Sequence, residues 1–324
     1  MTALFDTVAL IGLGLIGSSL GRVIKRDGLA NTVVGNARSQ ATMDTALKLG
    51  FVDRVHADPL DAVRDADLVI LCSPLGTYAA LAERMAPGLK PGAIVTDVGS
   101  TKSSVFDAVA PHLPAGVHLI PGHPVAGTEN SGPEAGFPEL FAGRYCILTP
   151  PDGADAAAVT ALRRFWEACG SAVETMDAHH HDRVLAITSH LPHLIAYTIV
   201  GTASDLEGQL KREAAGSEEL VQTREVIKFS AGGFRDFTRI AGSDPVMWRD
   251  VFLNNKEAVL EMLGRFSEDL VALQRAIRWG DSDALEDWFT RTREIRRGVV
   301  EMHQAGSFSP LEPNGAMPNP DGDD

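Results

Sequence analysis

The segment that decides the fold is Val8-Ala9-Leu10-Ile11-Gly12-Leu13-Gly14-Leu15-Ile16-Gly17, an apolar run followed by a GxGxxG motif. The residues that follow, up to Arg26, have a helical pattern of apolar side chains, so the segment predicts a strand, a tight turn and a helix. Gly12 permits the turn, Gly14 lets the backbone approach a pyrophosphate, and Gly17 lets the helix pack closely on the strand. Free N–H groups and the helix dipole favour an anion at the helix N-terminus. All six motif residues are therefore predicted to bind a dinucleotide.

The second predicted strand, Thr32–Gly35, ends without the acidic residue that commonly follows it in NAD-binding domains. That Asp or Glu hydrogen-bonds the ribose 2′-hydroxyl, about twenty residues after the glycine motif. Ala37 occupies the expected position. Arg38 and Ser39 could hold a 2′-phosphate there, so the sequence favours NADP over NAD. A solvated Arg38 on the protein surface is the alternative.

Short apolar runs alternate with amphipathic segments up to about residue 175, a pattern typical of a parallel sheet covered by helices on both faces. The runs are Val8–Ile11, Thr32–Gly35, Leu68–Cys72, Ala93–Thr96, Val117–Ile120 and Tyr145–Leu148. We therefore predict an α/β fold with an N-terminal Rossmann-type, doubly wound parallel sheet over residues 1–176 that binds NAD(P). Ligands bind outside the carboxyl ends of such strands, so Cys72, Ser73 and Pro74 are expected to line the dinucleotide groove.

Helical periodicity dominates after Asp177, so residues 177–304 are predicted to form a C-terminal all-α domain. Its helical stretches are Ala178–Ser204, Glu218–Ser230, Pro245–Trp279 and Ser282–Gln304. The polar stretch Ser204–Glu219 is either a loop or a helix extension on the surface. Residues 305–324 contain four prolines, four acidic residues and no Lys or Arg, which predicts a flexible acidic tail.

The composition argues against several classes of function. The net charge of −14 disfavours binding to nucleic acid or to an anionic membrane surface, because phosphate groups would repel the protein. We find no run of about 18 apolar residues that would predict a membrane span, and no signal-peptide pattern at the N-terminus. The three widely spaced cysteines form no disulfide framework and no zinc motif. Together these features predict a cytoplasmic protein.

Three segments carry side chains suited to catalysis: Asp97–Lys102 and Pro121–Glu129, each just past a predicted strand, and Ser189–His193 on the first long helix of the second domain. This fold places its chemistry at the carboxyl ends of strands, and the helix could face them across the crevice between the domains. His123 is predicted in a short rigid loop beside the nicotinamide, where its imidazole can accept a proton near neutral pH. The alternative is a solvated loop histidine.

The remaining histidines do not predict a metal site. Consecutive helical residues such as His179–His181 point to different faces of the helix. His190 and His193 have helical spacing, but no third ligand accompanies them. We therefore expect no bound metal.

In combination, the motifs resemble one family of enzymes. Besides GxGxxG, the chain contains GSTK at 99–102, GHPVAGTE at 122–129, SHLPH at 189–193 and GGFRDFTRIA at 232–241. In this order, over about Val8 to Glu301, they resemble the prephenate/arogenate (cyclohexadienyl) dehydrogenase family of tyrosine biosynthesis. The resemblance implies an oxidative decarboxylation of prephenate, arogenate or both, with hydride transfer to NAD or NADP. It also implies a homodimer formed by the helical domain.

The resemblance also implies two catalytic residues. His123 matches the family's catalytic histidine, which accepts the proton of the substrate 4-hydroxyl as hydride leaves for the nicotinamide. Ser100 matches a serine that hydrogen-bonds this hydroxyl and the histidine. The ring carboxylate then departs as carbon dioxide and the ring becomes aromatic.

Five further residues match positions of the family's substrate site. Arg239 matches an arginine that clamps a substrate carboxylate, a task suited to the fixed fork of a guanidinium group. Without the resemblance, Arg239 would be read as a charge on a helix surface. His193 matches a substrate-site histidine, and Trp248 falls near the substrate, with core packing as its alternative role. Thr128 and Glu129 lie in a region that gates or orients the substrate.

Two other functions stay open at this point. A β-hydroxyacid dehydrogenase shares the Rossmann-plus-helical layout but uses a lysine on the first helix of the second domain, and residues 178–207 contain none. A non-catalytic dinucleotide-sensing protein would need neither His123 nor the carboxylate clamp at Arg239. Prephenate and arogenate differ in a keto versus an ammonium group, and no single residue decides between them.

Overall fold

The computed structural model describes residues 3–214 and 230–301. These residues divide into two compact units between Leu263 and Gly264. The predicted tail at 305–324 and nearly all of the predicted helix Glu218–Ser230 lie outside the described residues. Every side chain discussed as part of the candidate active site belongs to the first unit.

The first sheet has six parallel strands in the order β3-β2-β1-β4-β5-β6. Their bounds are β1 Phe5–Ile11, β2 Ala30–Asn36, β3 Arg54–His56, β4 Leu68–Leu71, β5 Ile94–Asp97 and β6 His118–Leu119. The predicted doubly wound parallel sheet is thereby confirmed. The short edge strand β3 was not predicted, because its three residues include an arginine and a histidine and carry no apolar run.

Helices cover both faces of this sheet, with bounds α1 Leu15–Asp27, α2 Gln40–Lys48, α3 Pro59–Val63, α4 Tyr78–Met85, α5 Ser103–Val109 and α6 Ala156–Ala168. Successive side chains of a strand point to opposite faces. In β1, Val8 and Leu10 therefore belong to one buried cluster, whereas Ala9 and Ile11 belong to the other. A central strand needs a continuous apolar run because its side chains pack into the hydrophobic cores on both faces of the sheet.

A second, smaller sheet has the order β7-β8-β9, with bounds β7 Gly122–Pro124, β8 Tyr145–Leu148 and β9 Ala172–Thr175. Strand β7 runs antiparallel to β8 and pairs His123 with Ile147. Two expectations were therefore wrong: Tyr145–Leu148 does not join the large parallel sheet, and His123 lies on a buried strand instead of in a loop. The cause is backbone pairing between segments more than twenty residues apart, which local residue preferences do not encode.

All described elements after Thr175 are helical, as predicted for the C-terminal domain. They are α7 Ala178–Leu185, a π-helical turn Ala186–His190, α8 Leu191–Ala214, α9 Gly232–Thr238, α10 Pro245–Asn254, α11 Lys256–Trp279 and α12 Ser282–Glu301. Helix α7 begins after Asp177, whose carboxylate accepts a hydrogen bond from His180 N at 3.0 Å. The described part of Ser204–Glu219 continues α8, so it is a helix extension there. The boundary at residue 176 stays a prediction.

One helical stretch, Ala178–Gln209, is long and apolar enough, by length and composition alone, to cross a membrane. A single stretch of this kind is weak evidence for a span, because a core helix of a soluble protein has the same composition. Here it includes His181 and His190, which are fully buried and hydrogen-bonded inside the protein. The expected absence of a membrane partner stays a prediction.

Candidate active site

The glycine motif forms a tight turn with an open face. Gly12 has φ of +110°, and a Cβ there would lie 2.7 Å from the carbonyl carbon of Cys72. A Cβ on Gly17 would collide with the Gly12 carbonyl oxygen. At Gly14 no atom lies within 4 Å of the Cβ position, so backbone is exposed at the N-terminus of α1. A helix N-terminus with open backbone is suited to a pyrophosphate.

A cleft of about 300 Å³ lies in front of this turn. Its lining consists of Ile11, Gly12, Leu13, Gly14, Asn36, Ala37, Arg38, Thr42, Cys72, Ser73, Pro74, Thr77, Leu81, Gly132 and Pro133. Eight of the twelve residues predicted to bind the cofactor are in this set. The other four lie behind it: Leu15, Ile16 and Gly17 are in the first turn of α1, and Ser39 caps α2 by accepting a hydrogen bond from Thr42 N at 3.2 Å.

The rim of the cleft beside β2 carries an exposed positive charge. Asn36 is turned away from it, because its Nδ2 donates to the carbonyl oxygens of His56 at 2.9 Å and Ala57 at 3.2 Å. Arg38 is exposed at the rim, and no described residue pairs with its guanidinium group. A cation is thus present where many NAD-binding domains have an acid.

His123 is the first member of a buried hydrogen-bonded row. Its Nδ1 lies 2.9 Å from Nε2 of His181 on α7, and His181 Nδ1 lies 2.9 Å from Oδ1 of Asp182. The two imidazole rings meet edge to face. All three side chains are buried. In the described parts of the chain, the second ring nitrogen of His123, Nε2, has no hydrogen-bond partner.

Asp182 connects this row through hydrogen bonds to the segment where α5 begins. Its carboxylate accepts hydrogen bonds from Lys102 N at 2.7 Å and Ser103 N at 2.9 Å, in addition to the contact with His181. Burial alone would raise the pKa of Asp182, but the hydrogen bonds from His181, Ser103 and Lys102 outweigh it and lower the pKa. Asp182 is therefore ionised at neutral pH.

A buried ion pair supports the strand that carries His123. Lys102 Nζ lies 2.5 Å from Oδ2 of Asp97 and donates to the Gly122 carbonyl oxygen at 2.6 Å. Asp97 Oδ1 accepts from Gly122 N at 3.2 Å. Burial raises the pKa of Asp97 and lowers the pKa of Lys102, and their mutual attraction opposes both changes. The ion pair therefore hydrogen-bonds both the N–H and the carbonyl group of Gly122, the residue before His123.

The environment keeps His123 unprotonated. Burial lowers the pKa of His123 well below its ordinary value of 6.5, and the neighbouring His181, Lys102 and His190 lower it further. An unprotonated imidazole can accept a proton throughout the neutral range. His123 is therefore equipped to act as a base in a water-poor site.

His193 and Trp248 form a second part of the site. Their rings stack with centroids 3.6 Å apart, and His193 Nδ1 donates to the Ser189 carbonyl oxygen at 2.9 Å. This bond leaves Nε2 of His193 as an acceptor. Trp248 is buried and thus both packs in the core and holds His193. Burial lowers the pKa of His193, and the charge of Arg239 adds to this effect.

Arg239 is exposed and paired with another predicted residue. Its Nη1 donates to Oε2 of Glu129 at 3.2 Å, and the two side chains are 61% and 45% exposed. Thr128, the residue before Glu129, uses its hydroxyl to accept a hydrogen bond from Asn130 N at 3.2 Å. A substrate carboxylate that binds Arg239 would compete with Glu129 for the same guanidinium group.

Ser100 is half-buried in the loop between β5 and α5, with its backbone beside the His190 ring. Within the described residues its side chain makes no hydrogen bond, so the contact with His123 that the resemblance implied is not seen. In this structure His123 is instead hydrogen-bonded to His181, which lies on α7. The hydroxyl of Ser100 is left available for a ligand.

Sequence reasoning missed four residues of the site: Lys102, His181, Asp182 and Asn255. Asn255 Nδ2 donates to the Asp182 carbonyl oxygen at 2.7 Å and lies 3.1 Å from His190 Nδ1. Lys102 stands in the Gly-Ser-Thr-Lys motif, and a lysine that closely follows an aspartate at a strand end was an available signal. His181 was considered only as a metal ligand, and no cluster in the described ranges could hold a metal.

The fold and the site define a class: an oxidoreductase that binds a dinucleotide at a Rossmann cleft and carries a buried histidine base. Comparison with known families identifies it further. Residues 20–175 match the family description "Prephenate dehydrogenase, nucleotide-binding domain", and residues 177–291 match "Prephenate dehydrogenase, dimerization domain". The chain belongs to the prephenate dehydrogenase family, which confirms the resemblance drawn from the motifs.

Individual relatives agree over nearly the whole chain. It is 41% identical over 299 residues to a cyclohexadienyl dehydrogenase of Zymomonas mobilis, which covers 92% of this chain and 98% of that protein. It is 32% identical over 319 residues to a prephenate dehydrogenase of Bacillus subtilis, covering 98% and 80%. The crystal structure of the Aquifex aeolicus prephenate dehydrogenase with hydroxyphenyl propionate and NAD⁺ has a TM-score of 0.80 and 31% identity, covering 91% and 98%.

Proposed function

We propose that this protein catalyses the oxidative decarboxylation of prephenate in tyrosine biosynthesis, with hydride transfer to a nicotinamide cofactor. The observation that carries the proposal is the unprotonated, buried His123, whose Nε2 has no partner among the described residues. Family membership and the 41% identity to a cyclohexadienyl dehydrogenase support it. The chain's residues fit a dinucleotide, because the backbone at Gly14 is open to the cleft.

The chemistry divides between cofactor and protein. When bound, the nicotinamide accepts the hydride that leaves ring carbon 4. His123 Nε2 accepts the proton of the 4-hydroxyl, so the O–H bond breaks as an N–H bond forms. The ring carboxylate leaves as carbon dioxide, and the electron pair of its bond makes the ring aromatic and the C4 oxygen a phenolate, which takes up a proton from His123 or from water. General-base help of this kind is typically worth about 10²–10⁴-fold in rate.

The substrate carboxylate is held by Arg239, and His193 offers a hydrogen-bond acceptor nearby. Among the described residues the Arg239 guanidinium group hydrogen-bonds only Glu129, at 3.2 Å on the surface, so its fork can turn to a substrate carboxylate. Nε2 of His193 is an acceptor without a partner among the described residues, suited to a hydroxyl or ammonium group. An acceptor of this kind is compatible with arogenate as well as prephenate, and we propose that both are substrates.

The test is a set of four initial rates, with prephenate or arogenate as substrate and NAD or NADP as cofactor. We expect cofactor reduction with prephenate and a measurable rate with arogenate. If none of the four mixtures reduces the cofactor although the dinucleotide binds, the proposal is wrong and the dinucleotide-sensing alternative stands.

We expect Arg239→Lys to raise KM for prephenate about tenfold or more, because lysine keeps the charge but cannot bind a carboxylate bidentately. Steady-state kinetics with saturating cofactor measures the effect. Arg183→Lys is the matched control, since Arg183 is also 61% exposed and paired with a glutamate, Glu261. An unchanged KM in the Arg239 variant would remove this residue from the substrate site.

We further infer that NADP is preferred over NAD, because Ala37 replaces the usual acid and Arg38 is exposed at the cleft rim with no partner in the described parts of the chain. Arg38→Ala should lower kcat/KM for NADP about tenfold or more, the value of a hydrogen bond to a charged group. The value for NAD should change less than about twofold, since NAD has no 2′-phosphate for Arg38 to bind. Arg64→Ala, on the same domain, serves as the control. Equal losses with both cofactors would contradict the inference.

We also infer a homodimer through the helical domain, as the name of the matching family domain indicates. Large apolar side chains are exposed on its described helices, among them Ile277 at 67% and Ile295 at 62%. Clusters of exposed apolar side chains mark interaction sites when they form one patch, and a dimer interface on these helices would bury them. Helices of the second unit therefore supply a face for a second copy of the chain.

Charged substitutions on that face should dissociate the dimer. We expect sedimentation of the wild type at twice the 34.6 kDa chain mass, and a shift of Ile277→Asp and Ile295→Asp toward the monomer, since a buried unpaired charge weakens an interface. Leu47→Asp is the control, because Leu47 is an exposed leucine on the dinucleotide domain. A wild type that sediments as a monomer would contradict the inference.

A further inference from the structure

The row His123–His181–Asp182 has only one consistent arrangement of protons. Asp182 can only accept at its carboxylate, because two backbone N–H groups, of Lys102 and Ser103, already donate to it and its pKa is lowered. His181 Nδ1, at 2.9 Å from Asp182 Oδ1, must therefore be the donor. Its proton is held at the buried end of the row.

The contact between the two imidazoles also has a fixed direction. Burial lowers the pKa of His181 as well as that of His123, so both rings are neutral at neutral pH. A neutral imidazole has one donor and one acceptor nitrogen. Because Nδ1 of His181 is the donor, its Nε2 is an acceptor, and His123 Nδ1 must donate to it across 2.9 Å. His123 Nε2 is then the bare nitrogen.

We infer that His181 is a positioning residue for the reaction: it fixes His123 in the one tautomer whose Nε2 can accept the substrate proton, and it connects the resulting imidazolium to the Asp182 carboxylate. The inference rests on the proposed function for its catalytic meaning. The other tautomer of His123 would present an N–H to the substrate hydroxyl and would be unable to accept its proton.

The row His123–His181–Asp182 also stabilises the positive charge that the reaction creates on His123. When the 4-hydroxyl proton arrives at Nε2, both nitrogens of His123 are donors and the ring is positive. The Nδ1–H bond then points at His181, whose own N–H points at ionised Asp182. In a buried site such a chain of hydrogen bonds polarises toward the carboxylate. No proton needs to leave His123 until it is returned to the product or to water.

Other charged and titratable groups face His123 from the neighbouring elements. Lys102 and Asp97 come from the β5–α5 segment and form the buried ion pair, and His190 comes from the π-helical turn. Cys146 on β8 lies beside the His123 backbone, and burial raises the pKa of its thiol, so it is neutral. Asp182 is thus the one carboxylate joined to His123 through hydrogen-bonded rings in the described structure.

Three variants separate positioning from folding. His181→Phe keeps a buried ring but removes the acceptor for His123 Nδ1–H. His181→Gln keeps an acceptor oxygen and should rescue part of the rate. His180→Phe is the matched control, because His180 is the exposed neighbour on the same helix. Dinucleotide binding is measured in each variant to show that the fold is intact.

The expected kinetic result is a loss in kcat for His181→Phe between about tenfold and the full 10²–10⁴-fold of general-base catalysis, with KM for prephenate nearly unchanged. His181→Gln should recover part of this kcat, because its amide oxygen can accept the His123 Nδ1–H bond that phenylalanine cannot. A purely structural role would not favour Gln over the better ring mimic Phe. A wild-type kcat in His181→Phe would overturn the inference.

A substrate-independent measurement separates this inference from the proposed function. Nitrogen NMR of ¹⁵N-histidine-labelled protein at neutral pH reports which ring nitrogen of His123 carries the proton. We expect a protonated Nδ1 in the wild type and a mixture of tautomers in His181→Phe. A protonated Nε2 in the wild type would overturn the inference even if prephenate is turned over. The expected NMR result without turnover of prephenate would leave the tautomer assignment standing and refute the proposed function.

Discussion

We expect replacement of His123 by Asn to lower kcat with prephenate by about 10²–10⁴-fold, while the dinucleotide and the substrate still bind. Asparagine cannot accept a proton from the 4-hydroxyl, so the general-base step is lost. Its side-chain amide can still donate to Nε2 of His181, the contact that His123 Nδ1 makes at 2.9 Å. The buried row is therefore not left with an unpaired acceptor, and the fold should survive.

Stopped-flow or steady-state measurement of cofactor reduction gives the rate, and fluorescence titration gives dinucleotide binding. His118→Asn, a histidine on β6 of the same domain, is the control and should retain the wild-type rate. Because burial lowers the pKa of His123 below 6.5, the wild-type rate should stay flat from neutral pH upward and fall only below that value. A His123→Asn variant within about twofold of the wild-type kcat would exclude His123 as the base.

Replacing Lys102 by Met destabilises the protein by about 3–5 kcal/mol, because it leaves Asp97 buried without a counter-charge. Both side chains are fully buried, with Nζ 2.5 Å from Oδ2, so water cannot take the place of the lysine. The Gly122 carbonyl oxygen also loses its donor. Chemical denaturation measures the free energy of unfolding.

The chain contains a matched surface pair for comparison. Lys25 and Asp53 lie 2.6 Å apart, and each is 36% exposed, so Lys25→Met should cost less than about 1 kcal/mol. The double variant Asp97→Asn with Lys102→Met should regain part of the lost stability, because no isolated charge is then buried. Equal losses for Lys102→Met and Lys25→Met would show that burial of the pair has no special effect.

The dinucleotide half of the molecule follows from sequence because its signals are local. A strand, a glycine turn and a helix stand in immediate succession, and the need for glycine at Gly12 and Gly17 comes from backbone approaches between neighbouring segments. The missing acid at Ala37 is equally visible in the sequence. Cys72, Ser73 and Pro74 also line the cleft, because parallel strands end at the same edge of the sheet.

The buried polar site could not be predicted in this way, because its hydrogen-bonded residues are far apart in the chain. His123 and His181 are separated by 58 positions, and Lys102 and Asp182 by 80. A glycine and a proline beside His123 favour a loop, yet pairing with β8 makes that segment a strand. The sequence contains the right residue types, but only the tertiary fold shows which of them meet.

The exposed side chains of the candidate site could be predicted in part from the sequence. The family resemblance pointed to Arg239 and Glu129, and the structure adds that they pair with each other at 3.2 Å. Sequence motifs identify such residues one at a time, whereas the competition between Glu129 and a substrate carboxylate for the Arg239 guanidinium group follows only from the tertiary structure. The same holds for the stack of His193 on Trp248.

The most direct test of the central claim is the stoichiometry of one reaction: purified protein with prephenate and NAD or NADP, with reduced cofactor, carbon dioxide and the aromatic product measured together. We expect one carbon dioxide and one reduced nicotinamide for each prephenate consumed, in the wild type and at a greatly reduced rate in His123→Asn. Reduction of the cofactor without release of carbon dioxide, or no reduction by the wild type at all, would contradict oxidative decarboxylation as the function of this site.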